Sequence, residues 1–177
     1  MSRVPTCTLR RAAGLLAALA AAASALATAP AATAAPAPCR SAVMALSWGT
    51  GGTAVPGGSA PGTQRTADVS VTNKGSDACA LRGYPDVKLV QGETVETLFD
   101  QTSASPGTVT VEPGASARFT LTFLAAKAGE AAVIEPTHAA VVLPNTTAGK
   151  HLQWQWGPVA QQEAATHPGN YTGPVRG

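Results

Sequence analysis

Charged side chains are scarce in this 177-residue chain, making up 12% of it. Beyond residue 34 they are nine basic and ten acidic residues, scattered singly. No basic stripe therefore marks a surface for nucleic acid or anionic lipid. Histidines number three, and His138, His151 and His167 form no H-x-H or H-x-x-x-H pair. A metal centre needs clustered ligands, so no metal is expected. His138 and His151 meet only if the strands on either side of residues 144–150 pair, and two such histidines read as surface residues. Cysteines are also three, Cys7, Cys39 and Cys79, with no C-x-x-C among them. That excludes a disulfide-dense scaffold and a zinc ribbon. No stretch after residue 35 carries a long apolar stripe at helical spacing, which sets aside a helical fold.

Catalytic groupings are missing too. A serine nucleophile on a sharp turn reads G-x-S-x-G. Gly114-Ala115-Ser116-Ala117-Arg118 lacks the second glycine and opens a strand. Glu93 and Glu96 flank a hairpin, Asp100 ends a strand and Asp77 lies in a turn, where solvation explains each. The chain is read as a non-enzyme with no catalytic residue and no cofactor.

What is present begins with an address. Arg3, Arg10 and Arg11 precede an alanine- and leucine-rich stretch at 12–27, and Ala32-Thr33-Ala34 offers an A-x-A site. That order reads as a secretory signal peptide over residues 1–34, followed by a Pro/Ala linker at 35–38. The stretch is too short and too alanine-rich for a retained anchor, which wants about 20 strongly apolar residues. The mature protein is expected outside the cell, with no stable membrane insertion. Cys7 leaves with the leader, and the remaining two cysteines form an even pair in an oxidising compartment. Cys39 and Cys79 are read as a disulfide, the competing reading being two separate reactive thiols.

The mature chain alternates with a period of two. Ala67, Val69 and Val71 face away from Thr66, Asp68, Ser70 and Thr72. Ala117, Phe119, Leu121 and Phe123 likewise oppose Arg118, Thr120 and Thr122, and Leu152, Trp154 and Trp156 oppose His151, Gln153 and Gln155. Such alternation marks strands with one buried and one wet face. Shorter candidates lie at 43–48, 78–81, 86–90, 94–99, 108–111, 131–134 and 139–143. Turn residues separate them, as in Asn73-Lys74-Gly75, Gly83-Tyr84-Pro85 and Glu112-Pro113-Gly114. Short strands spaced by roughly 8–12 residues give an all-β antiparallel sandwich or barrel. The domain is placed at 39–158. Residues 49–62 read as a long mobile loop, 159–166 as room for a turn or two of helix, and 159–177 as an extended polar tail. Trp154 and Trp156 are assigned to the core, with Trp156 partly exposed. The alternative is an exposed aromatic platform.

The stretch Asn73-x-Gly75-x-x-x-Cys79-x-Leu81-x-Gly83-Tyr84-Pro85-x-Val87 resembles the signature of a secreted actinobacterial family, domain of unknown function 4232. Cys39 about 40 residues before Cys79 and the Glu112-Pro113-Gly114 turn agree with it. The resemblance covers roughly residues 39–156. It implies an immunoglobulin-like β-sandwich with a Cys39–Cys79 bridge, a packing role for Tyr84, and no established activity. Ile134 stands where the family's second cysteine pair often begins, and no cysteine follows. The expected function is a secreted, non-enzymatic module that binds or serves a structural role at the cell envelope or outside the cell. Its expected partner is an extracellular protein or wall component. The alternative is a secreted protease inhibitor presenting the 49–62 loop.

Overall fold

The computed structural model describes residues 35–162 and 166–177, so the leader read at 1–34 lies outside the described residues. No helix among them is long and apolar enough to cross a membrane. Twelve strands follow a single 3-10 turn at Ser41–Val43. They are β1 (Met44–Gly52), β2 (Gln64–Asn73), β3 (Cys79–Arg82), β4 (Asp86–Gln91), β5 (Thr94–Asp100), β6 (Thr108–Val111), β7 (Ser116–Leu124), β8 (Val133–Ile134), β9 (His138–Val142), β10 (Gly149–Gln153), β11 (Val159–Ala160) and β12 (Tyr171–Thr172). The fold is all-β, as the period-two pattern requires.

Eight strands form one sheet in the order β1-β2-β7-β12-β5-β4-β9-β10. Its two halves fold over one core, in a sandwich-like arrangement. Inward side chains of β2 and β7 (Val69, Val71, Phe119, Leu121, Phe123) join those of β4 and β9 (Val87, Leu89, Val141) in a single buried cluster. Each such side chain contributes about 1.5–3 kcal/mol when fully buried. The sheet curls far enough for its first and last strands to meet, and Trp48 Nε1–H donates to the Gln153 carbonyl at 2.9 Å. Two short ribbons, β3–β6 and β8–β11, complete the fold. Strand pairing is antiparallel except between β12 and β5, which run parallel.

The disulfide joins Cys39 to Cys79. It fastens the start of the domain to β3, where Cys39 N–H donates to the Ala80 carbonyl and Ala80 N–H to the Ala37 carbonyl. The motif residues gather close by. Asn73 is fully buried; its amide donates to the Asp77 and Val111 carbonyls at 2.8 and 2.9 Å and accepts from Gly75 N–H at 2.9 Å. Leu81 and Val87 are core residues. Pro85 is buried, and the half-buried Tyr84 donates its hydroxyl to the Ala104 carbonyl. The Gly83 carbonyl accepts from Val175 N–H.

Four expectations need correction. Residues 159–177 do not trail from the domain. Asn170 to Val175 are buried, and β12 sits mid-sheet between β7 and β5. The backbone of this segment is bonded on both sides: Phe99 N–H donates to the Asn170 carbonyl, Gln101 N–H to that of Thr172, and Gly173 N–H to that of Thr120. The helical turn considered for 159–166 begins instead as β11, paired with β8. Residues 49–62 are shorter as a loop than expected, since β1 runs to Gly52 through a bulge. The remaining loop is tied down by Gly57 N–H to the Gln155 carbonyl and Gly62 N–H to that of Ala125. Trp156, expected to be partly exposed, is 6% exposed, and the loop meets the chain on either side of it, at Gln155 and Gly157. Gly157 permits the contact: it has φ 84°, and a Cβ there would stand 2.6 Å from Gly58 Cα.

Candidate functional site

The outer face of β2 and β7 is where the alternation leaves its polar half. Thr66, Asp68, Ser70 and Thr72 lie beside Thr122, Thr120, Arg118 and Ser116 in register. Thr120 donates its hydroxyl to Asp68 Oδ1 at 2.7 Å, and Thr72 and Ser116 hydroxyls pair at 2.8 Å. Three clefts open along this face. One, about 310 Å³, is lined by Gln64, Asp100, Gln101, Thr122, His167 and Tyr171 among others. A second, about 260 Å³, shares Gln101 and Thr122 with it and reaches Arg118 and Arg176. A third, about 340 Å³, shares Arg118 and ends against Gly49, Gly51 and Asp68. The bulge in β1 makes room at that end, since a Cβ on Gly51 would fall 2.1 Å from Asp68 Oδ2. Through Gln101, Thr122 and Arg118 the three adjoin in one trough.

Its first cleft is built by the C-terminal segment. Tyr171 is held by β12 opposite Thr122 and Phe99. Its hydroxyl donates to the Thr166 carbonyl, and its ring stacks with His167 at 5.9 Å and 26°. Gln64 Nε2–H donates to the Gly169 carbonyl at 2.9 Å. Asp100 has its pKa raised, first by burial and then by the neighbouring Asp86 carboxylate.

Beneath the cleft lies a buried carboxylate that the sequence reading assigned to solvent. Glu96 is 3% exposed. It accepts from Asn170 Nδ2–H at 2.7 Å and from Gln162 N–H at 3.1 Å on both oxygens. Asn170 also donates to the Ala160 carbonyl and accepts from Leu124 N–H. Burial pushes the Glu96 pKa up, and the bonds from Asn170 and Gln162 only partly offset this. A carboxyl whose folded pKa lies above its unfolded value makes the fold less stable as pH rises between the two. The stability difference between wild type and Glu96→Gln should therefore move in favour of wild type as pH falls from neutral toward the ordinary carboxylate range. Urea denaturation of both proteins at several pH values measures it. Parallel profiles would show that Glu96 does not titrate with folding.

The other candidates stay apart. His138 and His151 do meet across β9 and β10, stacked at 4.5 Å, while His167 lies against Tyr171. Among the described residues no three His, Cys, Asp or Glu side chains converge as metal ligands. Ser116 is paired with Thr72. Glu93 and Asp77 are exposed. Asn170 and Glu96 escaped the sequence reading as partners because the bond between them joins residues 74 positions apart.

Comparison with known proteins gives one match. The family model described as "Domain of unknown function (DUF4232)" matches residues 39–172. No curated protein and no solved structure matches the chain. The matched span includes β12, in keeping with the C-terminal segment's place inside the sheet.

Proposed function

The chain belongs to the DUF4232 family, and from that premise we propose that it is a secreted, non-enzymatic module that holds a polar component of the cell envelope or its surroundings. The trough along β2 and β7 carries this reading. It offers hydroxyls, amides and isolated charges, with the backbone of both strands already spent in the ladder. Export is supported by the leader-like residues 1–34 and by the Cys39–Cys79 disulfide, which suits an oxidising compartment. The mass of the exported protein should correspond to a start near Ala35 or Pro36; full-length protein in the membrane fraction would reverse the assignment.

Binding is tested by sedimentation with purified cell envelopes. Wild type should pellet with them, and Gln101→Arg should stay in solution, because Gln101 borders two of the three clefts. Failure of wild type to pellet, or release of soluble fragments from the envelopes, would defeat the reading. Protease inhibition is a second reading, favoured by Val55. That side chain is 54% exposed on the loop after β1. Undiminished subtilisin- and trypsin-like activity in the protein's presence would dispose of it.

A further inference from the structure

We propose that the cleft at Asp100, Gln101, Thr122, His167 and Tyr171 is a subsite for a neutral or amine-bearing sugar residue of an elongated glycan. The inference rests on the binding role above and names its ligand. Shape comes first. The cleft, about 310 Å³, lies at the small end of the range of ligand sites, about 300–1,000 Å³. It continues along β7 from Thr122 to Ser116, seven residues or ~20 Å of strand. A ligand that fills it is elongated.

The lining then selects the chemistry. Asp100 supplies two acceptor oxygens, Gln101 an amide that both donates and accepts, and Thr122 a hydroxyl. Among the described residues neither Lys nor Arg lines this first cleft, so a phosphate or carboxylate group placed there finds no cation to pair with. A peptide adding as a strand needs a free sheet edge, whereas β12 is paired on both sides. A lipid tail needs aliphatic walls, whereas every residue lining the cleft has a polar side chain. What remains is a molecule dense in hydroxyls with a ring that packs on an aromatic face.

That face is fixed in advance. His167 is exposed and stacked on the buried Tyr171. The chain folds back over the tyrosine at Gly169, where a Cβ would stand 2.3 Å from the Thr166 carbonyl oxygen. A site already in its bound shape loses less freedom on binding. Asp100, an exposed carboxylate on the cleft wall, gains from donors offered by hydroxyls and more from an ammonium group. An amino sugar should thus be preferred to its N-acetyl form.

The test titrates isotope-labelled protein with β-1,4-linked tetramers of glucosamine, N-acetylglucosamine, glucose and glucuronic acid, following backbone amides by NMR. Saturable shifts at Gln101, Thr122, Gly169 and Tyr171 are expected with the first three, tightest for glucosamine, and at these positions weakest for the acid. His167→Ala and Asp100→Asn, both at exposed positions, should each weaken binding about tenfold, the scale of one lost charge-assisted hydrogen bond or stacking contact. Their spectra away from the cleft should match wild type. No saturable shift with any of the three sugars, shifts clustered elsewhere, or wild-type affinity in both variants would overturn the proposal. Envelope binding that is lost in Gln101→Arg while all four tetramers fail would refute the glycan and leave the binding role standing. Loss of envelope binding by wild type would remove both.

Discussion

Replacing Trp154 with alanine is expected to remove about 3–5 kcal/mol of folding stability, the usual cost of emptying a large aromatic site in a core. The ring sits 5.0 Å from Phe123 and 5.8 Å from Trp48, edge to face with both. Its Nε1–H donates to the Gly157 carbonyl at 2.7 Å. The substitution thus opens a cavity and strips a partner from that carbonyl. Trp48 depends on the same packing, so the seam between β1 and β10 should loosen with it. Trp156 provides the contrast. It is equally buried, but its Nε1–H has no hydrogen-bond partner. Trp156→Phe removes an unpaired donor along with some area, and should cost about 1 kcal/mol or less. Trp154→Phe, which loses a bond that is made, should cost more. Chemical denaturation of the three variants decides the matter. A Trp154→Ala protein within about 1 kcal/mol of wild type would mean that the ring is not part of the core.

Whether that core could be read beforehand depends on how its residues signal. β2 and β7 were legible because Val69, Val71, Phe119 and Leu121 alternate with Asp68, Ser70, Arg118 and Thr120 over long runs. The same alternation displayed the polar half of the trough, although nothing in it distinguished a binding face from a solvated one. Leu152, Trp154 and Trp156 also alternate and are all buried, yet β10 stops at Gln153. Their shared side therefore survives the end of the strand. The C-terminal segment gave no such signal. Asn170-Tyr171-Thr172-Gly173-Pro174-Val175 is buried throughout, with polar and apolar residues alike inside, so no period separates a wet side from a dry one. Asn170 is tolerated there because Leu124, Ala160 and Glu96 satisfy its amide, a set of partners visible only once the sheet is assembled. Glu96 failed for the same reason. In the sequence it is one carboxylate after a tight turn, and its burial is decided by what β12 and the segment after β11 bring against it.

Removing the disulfide through the paired substitution Cys39→Ala, Cys79→Ala is expected to cost about 4 kcal/mol, the chain-entropy value for a loop of this length. The bridge spans 40 residues, and β1 and β2 lie wholly inside that span. Without it the unfolded chain is freer, while the folded chain loses the clamp that holds residues 37–39 along β3. Set against the 5–15 kcal/mol typical of a single domain, the loss takes a large share of what keeps the protein folded. Alanine is the right replacement because both positions are buried, Cys79 beside Met44, and serine would bury hydroxyls in their place. Burial also shapes the control. In the native oxidised protein no thiol should react with Ellman-type reagent, and reduction should require denaturant or a low-stability opening of the N-terminal segment. Urea unfolding of the variant should show a lower midpoint together with a slope at least as steep, since an uncrosslinked chain exposes more surface when it unfolds. An unchanged midpoint, or two thiols titrating in the folded wild-type protein, would mean that the sheet alone holds β3 in place and that the clamp is dispensable.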